Sequence, residues 1–368
     1  MMRILYVITG LELGGAEKQL LLIATNLKRI GHKIHIVSMK SGGALKAEFI
    51  TEGFSVTELG IAGITGWGSG TVKFRKLIKD LRPDIVHSHM VHANLYVRLI
   101  RITIPIKRLI CTAHNINEGG KGLMFLYRIT NKLADLSTNV SREALEHFVH
   151  IKAFNKASSL YIPNAIDTSL FFPDSSHRDE LRRKFEITQQ QFAFLAVGRL
   201  HTQKDYPTLL SAFKIVQESN SATVLLIVGE GDLELDLKQI CKDLSIDHAV
   251  HFLGRRNDVG DLMNMSDCFV LSSIFEGFGL VVAEAMATDT PVIATDCGGV
   301  KEVMGGHGNL VPVGAIEALA EMMLYSSYSH LSKAESSNSA RAHVIENYSL
   351  SNVTDTWVKL YGGHIKPE

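Results

Sequence analysis

The feature that most constrains the fold of this chain is a repeated alternation between short apolar segments and longer segments of helical periodicity. Arg3–Thr9, Lys33–Met39 and Ile85–His89 are rich in Val and Ile, as buried strands are. After a polar stretch the alternation restarts at Phe192–Val197. Strands that alternate with helices favour parallel sheets, and 368 residues are more than one hydrophobic core usually holds. The sequence therefore predicts an α/β protein with two domains.

The domain boundary is predicted where the chain changes character, around Pro163–Pro173, before the polar stretch Asp174–Lys184. We place the first domain at 1–165 and the second at 166–348. The halves also differ in charge, because residues 1–165 carry 22 Lys and Arg against 11 Asp and Glu, whereas residues 166–368 carry 16 against 27. Opposite net charge is typical of two domains with different partners.

Several classes of protein are excluded by the composition and its spacing. The four cysteines are too far apart for a disulfide framework or for a site of paired cysteines: Cys111, Cys241, Cys268 and Cys297. No apolar run of about 18 residues occurs, which predicts no transmembrane helix. The apolar run Ile4–Ile8 is too short for a signal peptide and is soon followed by Glu12. We therefore expect a cytoplasmic protein with reduced, buried thiols.

The loops after strands are the places to look for a site, because ligands of parallel sheets bind at the carboxyl ends of the strands. Behind the predicted strand Cys268–Leu271 lie a Glu-Gly-Phe-Gly loop and the predicted helix Gly279–Ala287. The glycines allow a ligand to approach the backbone, and free amides at the helix start can hold an anion. Glu276 in the loop and Glu284 in the helix carry carboxylates suited to sugar or ribose hydroxyls. Either glutamate alone is typical of solvated surface, whereas the combination indicates a binding site.

The two glutamates, separated by seven residues, resemble the signature of the retaining glycosyltransferases of family 4, which have the GT-B fold. Further matches to that family follow in its order and spacing along nearly the whole chain: Gly14–Glu17, Asp84–His89, Thr112–Asn115, Ile162–Asp167, Val197–Leu200 with Lys204, Gly229–Gly231 and Phe252–Arg255. The chain departs from the family at Ala165 and at Asp205–Pro207, where the family more often has a glycine.

The resemblance implies a domain arrangement as well as a fold. It implies two Rossmann-like, doubly wound domains that face a central cleft. In that arrangement residues 1–165 form the acceptor-side domain and residues 166–348 bind the nucleotide-sugar donor. A last helix, at about 349–368, returns to the first domain.

The resemblance also implies roles for individual residues. Glu276 and His114 are the implied catalytic residues, which contact the donor sugar from opposite sides of the cleft. Arg199 and Lys204 are implied to grip the donor diphosphate, and two cations suit a leaving group that gains negative charge. The other implied binding positions are Gly14 and Gly15 beside the donor phosphates, Arg255 beside the nucleobase, Phe278, Gly279 and Leu280 beside the sugar and its phosphate, and Glu284 on the ribose.

By the same resemblance the chain is an enzyme, a retaining hexosyl- or N-acetylhexosaminyltransferase of cell-surface polysaccharide biosynthesis. It would move a sugar from a nucleotide-sugar, a UDP-sugar, to a glycan or lipid-linked acceptor, without cofactor or metal. No D-x-D element occurs, and His87, His89 and His92 lack the H-E-x-x-H spacing of zinc ligands. Two alternatives remain: a UDP-sugar epimerase of the same fold, and a non-catalytic partner subunit that binds sugar nucleotides.

A basic region marks the first half, where Thr71–Lys132 holds twelve Lys and Arg against three acidic residues. Within it, Thr71–Arg82 carries one apolar stripe: Phe74, Leu77, Ile78 and Leu81. This pattern predicts a helix whose stripe either packs on its own sheet or rests on an anionic membrane. We predict that Gly63–Gly70 is a mobile loop near the acceptor. The expected partners are thus the donor, the acceptor and an anionic surface on the cytoplasmic face of the inner membrane, with no nucleic acid.

Overall fold

The chain divides into two compact units, each built around its own parallel sheet. The computed structural model describes four stretches of the chain: 1–61, 66–116, 118–329 and 333–365. The N-terminal unit comprises Met1–Ala165 and Leu350–Glu368, and the C-terminal unit comprises Ile166–Ser349. Every pairing between named strands is parallel, which confirms the predicted α/β class.

The sheet of the N-terminal unit has seven strands in the order β3-β2-β1-β4-β5-β6-β7. The strands are β1 (Arg3–Ile8), β2 (Lys33–Ser38), β3 (Ser55–Glu58), β4 (Ile85–His89), β5 (Leu109–Ala113), β6 (Leu136–Asn139) and β7 (Ser159–Tyr161). The helices are α1 (Gly15–Arg29), α2 (Lys46–Thr51), α3 (Trp67–Leu81), α4 (Val91–Arg101), α5 (Gly120–Thr130), α6 (Arg142–His150) and, after the C-terminal unit, α15 (Leu350–Tyr361).

Alternate residues of β1 show how this sheet is covered on both faces. Tyr6 and Ile8 point into a core shared with α1 and α15, whereas Leu5 and Val7 point into a core shared with α3 and α4. A strand buried on both faces must be apolar at nearly every position, which is why β1 reads as a continuous apolar run. The two cores give the doubly wound arrangement that the sequence predicts.

The sheet of the C-terminal unit has six strands in the order β10-β9-β8-β11-β12-β13. The strands are β8 (Phe192–Val197), β9 (Thr223–Val228), β10 (Val250–Phe252), β11 (Cys268–Leu271), β12 (Val292–Thr295) and β13 (Asn309–Val311). The helices are α7 (Arg178–Lys184), α8 (Tyr206–Ser219), α9 (Glu234–Asp243), α10 (Val259–Met265), α11 (Leu280–Ala287), α12 (Val300–Met304), α13 (Ile316–Tyr328) and α14 (Lys333–Tyr348).

Within the polar stretch Asp174–Lys184, next to the predicted domain boundary, Arg178–Lys184 form α7 of the C-terminal unit. Its Arg182 is almost fully buried and donates to the carboxylate of Asp267 at 3.2 Å and to the carbonyl of Thr188 at 2.7 Å. Arg178 donates to the same carboxylate at 2.5 Å. The charged residues here therefore fasten a helix to the start of β11 and are not a solvated connection.

The structure corrects one expectation about the region before β4 and decides between the two alternatives for the apolar stripe of α3. Gly63 lies outside the described residues, but Gly68 and Gly70 belong to α3 and not to a loop. Gly70 is buried there, and a Cβ at this position would come within 2.6 Å of Cγ1 of Ile61, so the glycine allows close packing. The apolar stripe of α3 packs on its own sheet, with Phe74 and neighbouring side chains in the core, so it is not available to a membrane.

The basic side chains of α3 nevertheless face solvent: Lys73, Arg75, Lys76, Lys79 and, just beyond the helix, Arg82. The region therefore presents charge without an apolar stripe. Within the described ranges, none of the helices has both the length and the apolar content needed to span a bilayer.

Candidate functional site

Several loops of the C-terminal unit meet at the carboxyl edge of its sheet. They follow β8, β9, β11 and β12, which are neighbours in the sheet, so the loops lie side by side. Backbone hydrogen bonds tie the first two together, since the Gly198 amide donates to the Val228 carbonyl at 2.9 Å and the Leu200 amide donates to the Glu230 carbonyl at 3.0 Å. This edge carries most of the residues to which the sequence assigns donor binding.

The centre of this edge is an ion pair between Lys204 and Glu276. Lys204, in the turn after β8, places its Nζ 2.5 Å from Oε1 of Glu276, in the loop after β11. The hydroxyl of Ser273 donates to the same oxygen at 2.7 Å. The side chains of Lys204 and Glu276 are only 17% and 12% exposed, so their charges are shielded from water more than those of a surface pair. The structure thus brings two predicted site residues into direct contact.

The loop that carries Glu276 is clamped by the loop after β12. Gly298 has a φ of +53°, and a Cβ there would overlap the carbonyl oxygen of Glu276, so only glycine fits. Thr295 donates its hydroxyl to the carbonyl of Ser273 at 2.7 Å. The hydroxyl of Ser272 donates to the Lys204 carbonyl at 2.7 Å, which fixes the two halves of the ion pair to one framework.

The start of α11 follows directly from this loop. Gly279 caps the helix with a φ of +92°, and Leu280 is its first residue. Phe278 is buried and packs edge-on against Tyr348, with ring centroids 5.3 Å apart. Its side chain therefore anchors the loop, and only its backbone is available to a ligand. Glu284 is half-buried within α11.

The two remaining arginines of the predicted donor site are exposed. Arg199 comes directly after Gly198, and Arg255 follows the end of β10. The next residue, Arg256, instead forms a salt bridge with Asp258, and its Nε lies 2.8 Å from the carboxylate. This pairing lowers the pKa of the Asp258 carboxyl. Arg199 and Arg255 thus face solvent at the same sheet edge, at the ends of β8 and β10, with β9 between them.

The predicted site residues of the N-terminal unit lie at the ends of β1 and β5, with β4 between them. Gly14 caps α1 and Gly15 is its first residue. The carboxyl group of Glu17 is buried against Gly14, and burial raises its pKa. Glu17 has no role predicted from the sequence, although it lies within the matched motif Gly14–Glu17.

His114, itself half-buried, belongs to a cluster with two buried histidines, His87 and His89. Its Nε2 lies 3.0 Å from Nδ1 of His89, at the end of β4. His87 is 4.2 Å from His89 between ring centroids, and its two nitrogens contact the hydroxyls of Tyr361 and Thr112, each at 2.7 Å. Burial lowers the pKa of His114 to about 4 and that of the other two well below the usual range. All three are therefore neutral at neutral pH.

Glu118 supports His114 from the other side and was missed by the sequence analysis. Its carboxylate accepts from the backbone amide of His114 at 2.7 Å and from the hydroxyl of Tyr127 at 2.8 Å. Burial raises the pKa of Glu118 to about 7. The one available signal was its isolation as an acidic residue in a long basic stretch. Among the residues that the structure describes, no group of three or more His, Cys, Asp or Glu is arranged to hold a metal ion.

Comparison with known families covers most of the chain. Residues 13–170 match the family described as Glycosyltransferase Family 4, and residues 177–341 match the one described as Glycosyl transferases group 1. An uncharacterized glycosyltransferase of Methanocaldococcus jannaschii is 28% identical over 244 residues, or 62% of this chain and 59% of that protein. The UDP-Gal:alpha-D-GlcNAc-diphosphoundecaprenol alpha-1,3-galactosyltransferase of Escherichia coli is 28% identical over 238 residues, or 62% of each chain. The match thus spans about three fifths of both relatives.

Comparison with solved structures agrees. HepE of Anabaena, solved in complex with UDP, has a TM-score of 0.87 and 21% identity to this chain, over 98% of this chain and 100% of that one. At this identity the likeness shows a shared fold. The chain belongs to the glycosyltransferases of the GT-B fold, with a family 4 domain in its first half and a group 1 domain in its second.

Proposed function

We propose that this chain transfers a sugar from a UDP-sugar to a glycan or lipid-linked acceptor with retention of configuration, as a step of cell-surface polysaccharide biosynthesis in the cytoplasm. The observation that carries the proposal is the contact of Lys204 with Glu276, a cation beside a carboxylate at the sheet edge where such folds bind nucleotides. The E. coli relative is named for UDP-Gal and a diphosphoundecaprenol-linked sugar, and HepE was solved with UDP, which supports the donor and acceptor classes.

The donor diphosphate is assigned to Lys204 and Arg199. The ammonium of Lys204 has three N–H donors, and the contact with Glu276 uses one of them, so others remain for phosphate oxygens. The exposed guanidinium of Arg199 supplies a second cation on the same strand end. The backbone amides at the start of α11 add donors aligned with the helix dipole. Together these groups stabilise the negative charge that develops on the departing UDP.

The donor sugar is assigned to Glu276 and the ribose to Glu284. Both hydrogen bonds described for the Glu276 carboxylate end on Oε1, from Lys204 and from Ser273. Its Oε2 is therefore placed to accept from a sugar hydroxyl without breaking either bond. Retention follows if the acceptor attacks from the face that the phosphate leaves, and the phosphate takes the acceptor proton. No protein nucleophile is then needed.

The proposal is tested by thermal unfolding with a panel of nucleotide sugars. UDP-sugars should raise the unfolding midpoint more than other nucleotide sugars do. A ligand at about 100 times its Kd stabilises the folded state by about 2.7 kcal/mol. Arg199→Ala should abolish most of that shift while leaving the midpoint of the free protein unchanged, since Arg199 is exposed. A panel in which no UDP nucleotide shifts the midpoint would rule out the donor assignment.

The two alternatives are separated by product analysis with the UDP-sugar that binds. A transferase yields UDP and a glycosylated acceptor, whereas an epimerase converts the UDP-sugar to its epimer with no acceptor present. Conversion without acceptor would replace the proposal by the epimerase. Binding without any turnover, across glycan and lipid-linked acceptors, would favour the non-catalytic subunit.

We also expect transfer without a divalent metal. The reason is that Lys204 and Arg199 already supply two positive charges for the diphosphate, the task that a metal performs in other enzymes. Initial rates measured in excess EDTA should equal those measured in magnesium. A rate that collapses in EDTA and returns with magnesium or manganese would contradict this assignment of the diphosphate.

A further inference from the structure

Helix α5 of the N-terminal unit has two apolar faces, and only one of them is covered. Tyr127 is fully buried on the inner face, where α5 packs on α4. On the outer face, Phe125 is 59% exposed, Leu126 is 42% exposed and Ile129 is 60% exposed. At about 3.6 residues per turn these three side chains fall on one side of the helix. We call them the α5 ridge.

Basic side chains flank the α5 ridge. Lys121 and Arg128 lie on the same exposed side of the helix, and Lys132 lies in the 3-10 turn that follows it, also exposed. Between 119 and 134 the sequence holds no Asp or Glu. The ridge is therefore an apolar strip edged by three positive charges, with no negative charge on the same helix to balance them.

From this arrangement we infer that the α5 ridge docks the protein on an anionic lipid bilayer. Exposed Phe, Leu and Ile beside Lys and Arg form the pattern of a helix that lies in the membrane interface, with its apolar side chains among the acyl chains and its cations at the phosphates. A second copy of this chain fits the ridge poorly, because two such faces would bring their three cations against each other. The net charge of the first half, 22 Lys and Arg against 11 Asp and Glu, has the sign that an anionic surface attracts.

Helix α3 is the helix for which the sequence predicts membrane contact. It has the cations but lacks an exposed apolar stripe. Its four basic residues and the Arg82 that follows it are exposed, but Phe74 and Ile78 of its stripe are buried in the core. It contributes long-range attraction only, which salt screens within about 10 Å at 0.1 M. The α5 ridge adds apolar contact, which salt does not remove. The inference rests on the proposed function only for its purpose, which is to bring the enzyme to a lipid-linked acceptor.

The test is flotation of the full chain with vesicles of phosphatidylglycerol and phosphatidylethanolamine, compared with vesicles of phosphatidylcholine alone. The wild type should float with the anionic vesicles and stay behind with the neutral ones. Phe125→Gln with Ile129→Gln should weaken binding about tenfold or more, since it removes the apolar contact. Binding to neither kind of vesicle, or equal flotation of this variant and the wild type, would overturn the inference.

Two matched variants serve as controls. Leu235→Gln changes an apolar side chain that is 80% exposed on α9 of the other unit, and it should float as the wild type does. Replacing Lys73, Lys76 and Lys79 of α3 with Glu should weaken binding less than replacing Lys121, Arg128 and Lys132 with Glu. If the α3 variant loses binding and the α5 variant keeps it, the inference is overturned in favour of α3.

Depth and oligomeric state complete the test. Phe125→Trp should be quenched by brominated acyl chains, and Leu235→Trp should not. A concentration-dependent dimer in light scattering that the Phe125→Gln, Ile129→Gln variant abolishes, without flotation of the wild type, would assign the ridge to a second copy and overturn the lipid. The UDP-induced thermal shift should be the same in this variant as in the wild type. If the wild type does not float but keeps its UDP-induced thermal shift, only the docking inference is overturned. If the wild type floats but shows no UDP-induced shift, only the proposed function is overturned.

Discussion

Replacing Lys204 with Ala is expected to lower kcat for sugar transfer by about a hundredfold to a thousandfold, the usual loss when one preorganised charge partner of a transition state is removed. The cation stabilises the diphosphate as the bond to the sugar breaks, so its loss falls on the transition state more than on the bound donor. Steady-state kinetics with a saturating UDP-sugar measure the effect. A kcat within about threefold of the wild type would remove Lys204 from the donor site.

The Lys204→Ala change also removes a partner of Glu276, whose carboxylate then keeps Ser273 as its remaining described partner. Lys204→Arg is the matched control. It keeps the charge but replaces a compact ammonium with a planar fork, so we expect a loss of about tenfold. Unfolding midpoints of both variants, measured alongside the rates, separate a catalytic loss from a folding defect.

Substitution of the two glutamates by Gln should affect different kinetic constants, kcat for Glu276 and the donor KM for Glu284. Glu276→Gln keeps the shape of the side chain but weakens its contacts with Lys204 and the sugar, so kcat should fall. Glu284→Gln should mainly raise the donor KM, because a contact with ribose is the same in the ground state and the transition state. Equal effects of both changes on kcat would contradict the division of roles.

Acid should destabilise the N-terminal unit strongly. His87, His89 and His114 keep folded pKa values below the ordinary 6.5, so below that pH the unfolded chain binds protons that the folded chain does not. Glu118 works in the opposite direction, since its folded pKa of about 7 exceeds the ordinary 4.5. The three histidines outnumber this one opposing group, so the free energy of unfolding should fall as the pH falls below about 6.5.

Urea unfolding followed by tryptophan fluorescence measures this directly. Both tryptophans of the chain, Trp67 and Trp357, belong to the N-terminal unit, so the signal reports on that unit. Glu118→Gln should steepen the loss, because it removes the opposing group. A free energy of unfolding that stays constant between about pH 6.5 and 5.5 would contradict the assignment of neutral, buried histidines.

Much of the fold was predictable because its strands are buried on both faces. The bounds predicted for β4, β8 and β11 agree with the structure. Two strands were missed, Ser55–Glu58 and Asn309–Val311. They are short edge strands with polar residues, so they carry little apolar signal. Helix α5 was missed for the opposite reason, because its apolar residues surround the helix and form no single stripe.

The site was predictable only in part, because hydrogen bonds join residues far apart in the chain. Lys204 and Glu276 were both predicted from their motifs, but their contact joins positions 72 residues apart and no local pattern encodes it. The histidines of β4 were considered as zinc ligands and lacked the required spacing. Both ring nitrogens of His87 are hydrogen-bonded to hydroxyl groups, one of them from Tyr361, which lies 274 residues further along the chain.

Helix α15 determines the order in which the two units can complete their cores during synthesis. Tyr361 reaches the hydroxyl of Tyr6 at 2.8 Å, across 355 residues of sequence, and Trp357 and Leu360 fill the core beneath β1. The whole C-terminal unit is synthesised between the two halves of that contact, at about 5 to 20 residues per second. During translation the core between β1, α1 and α15 therefore stays incomplete until α15 leaves the ribosome. The second unit needs no later segment, so the unit that is started last is the first whose core is complete.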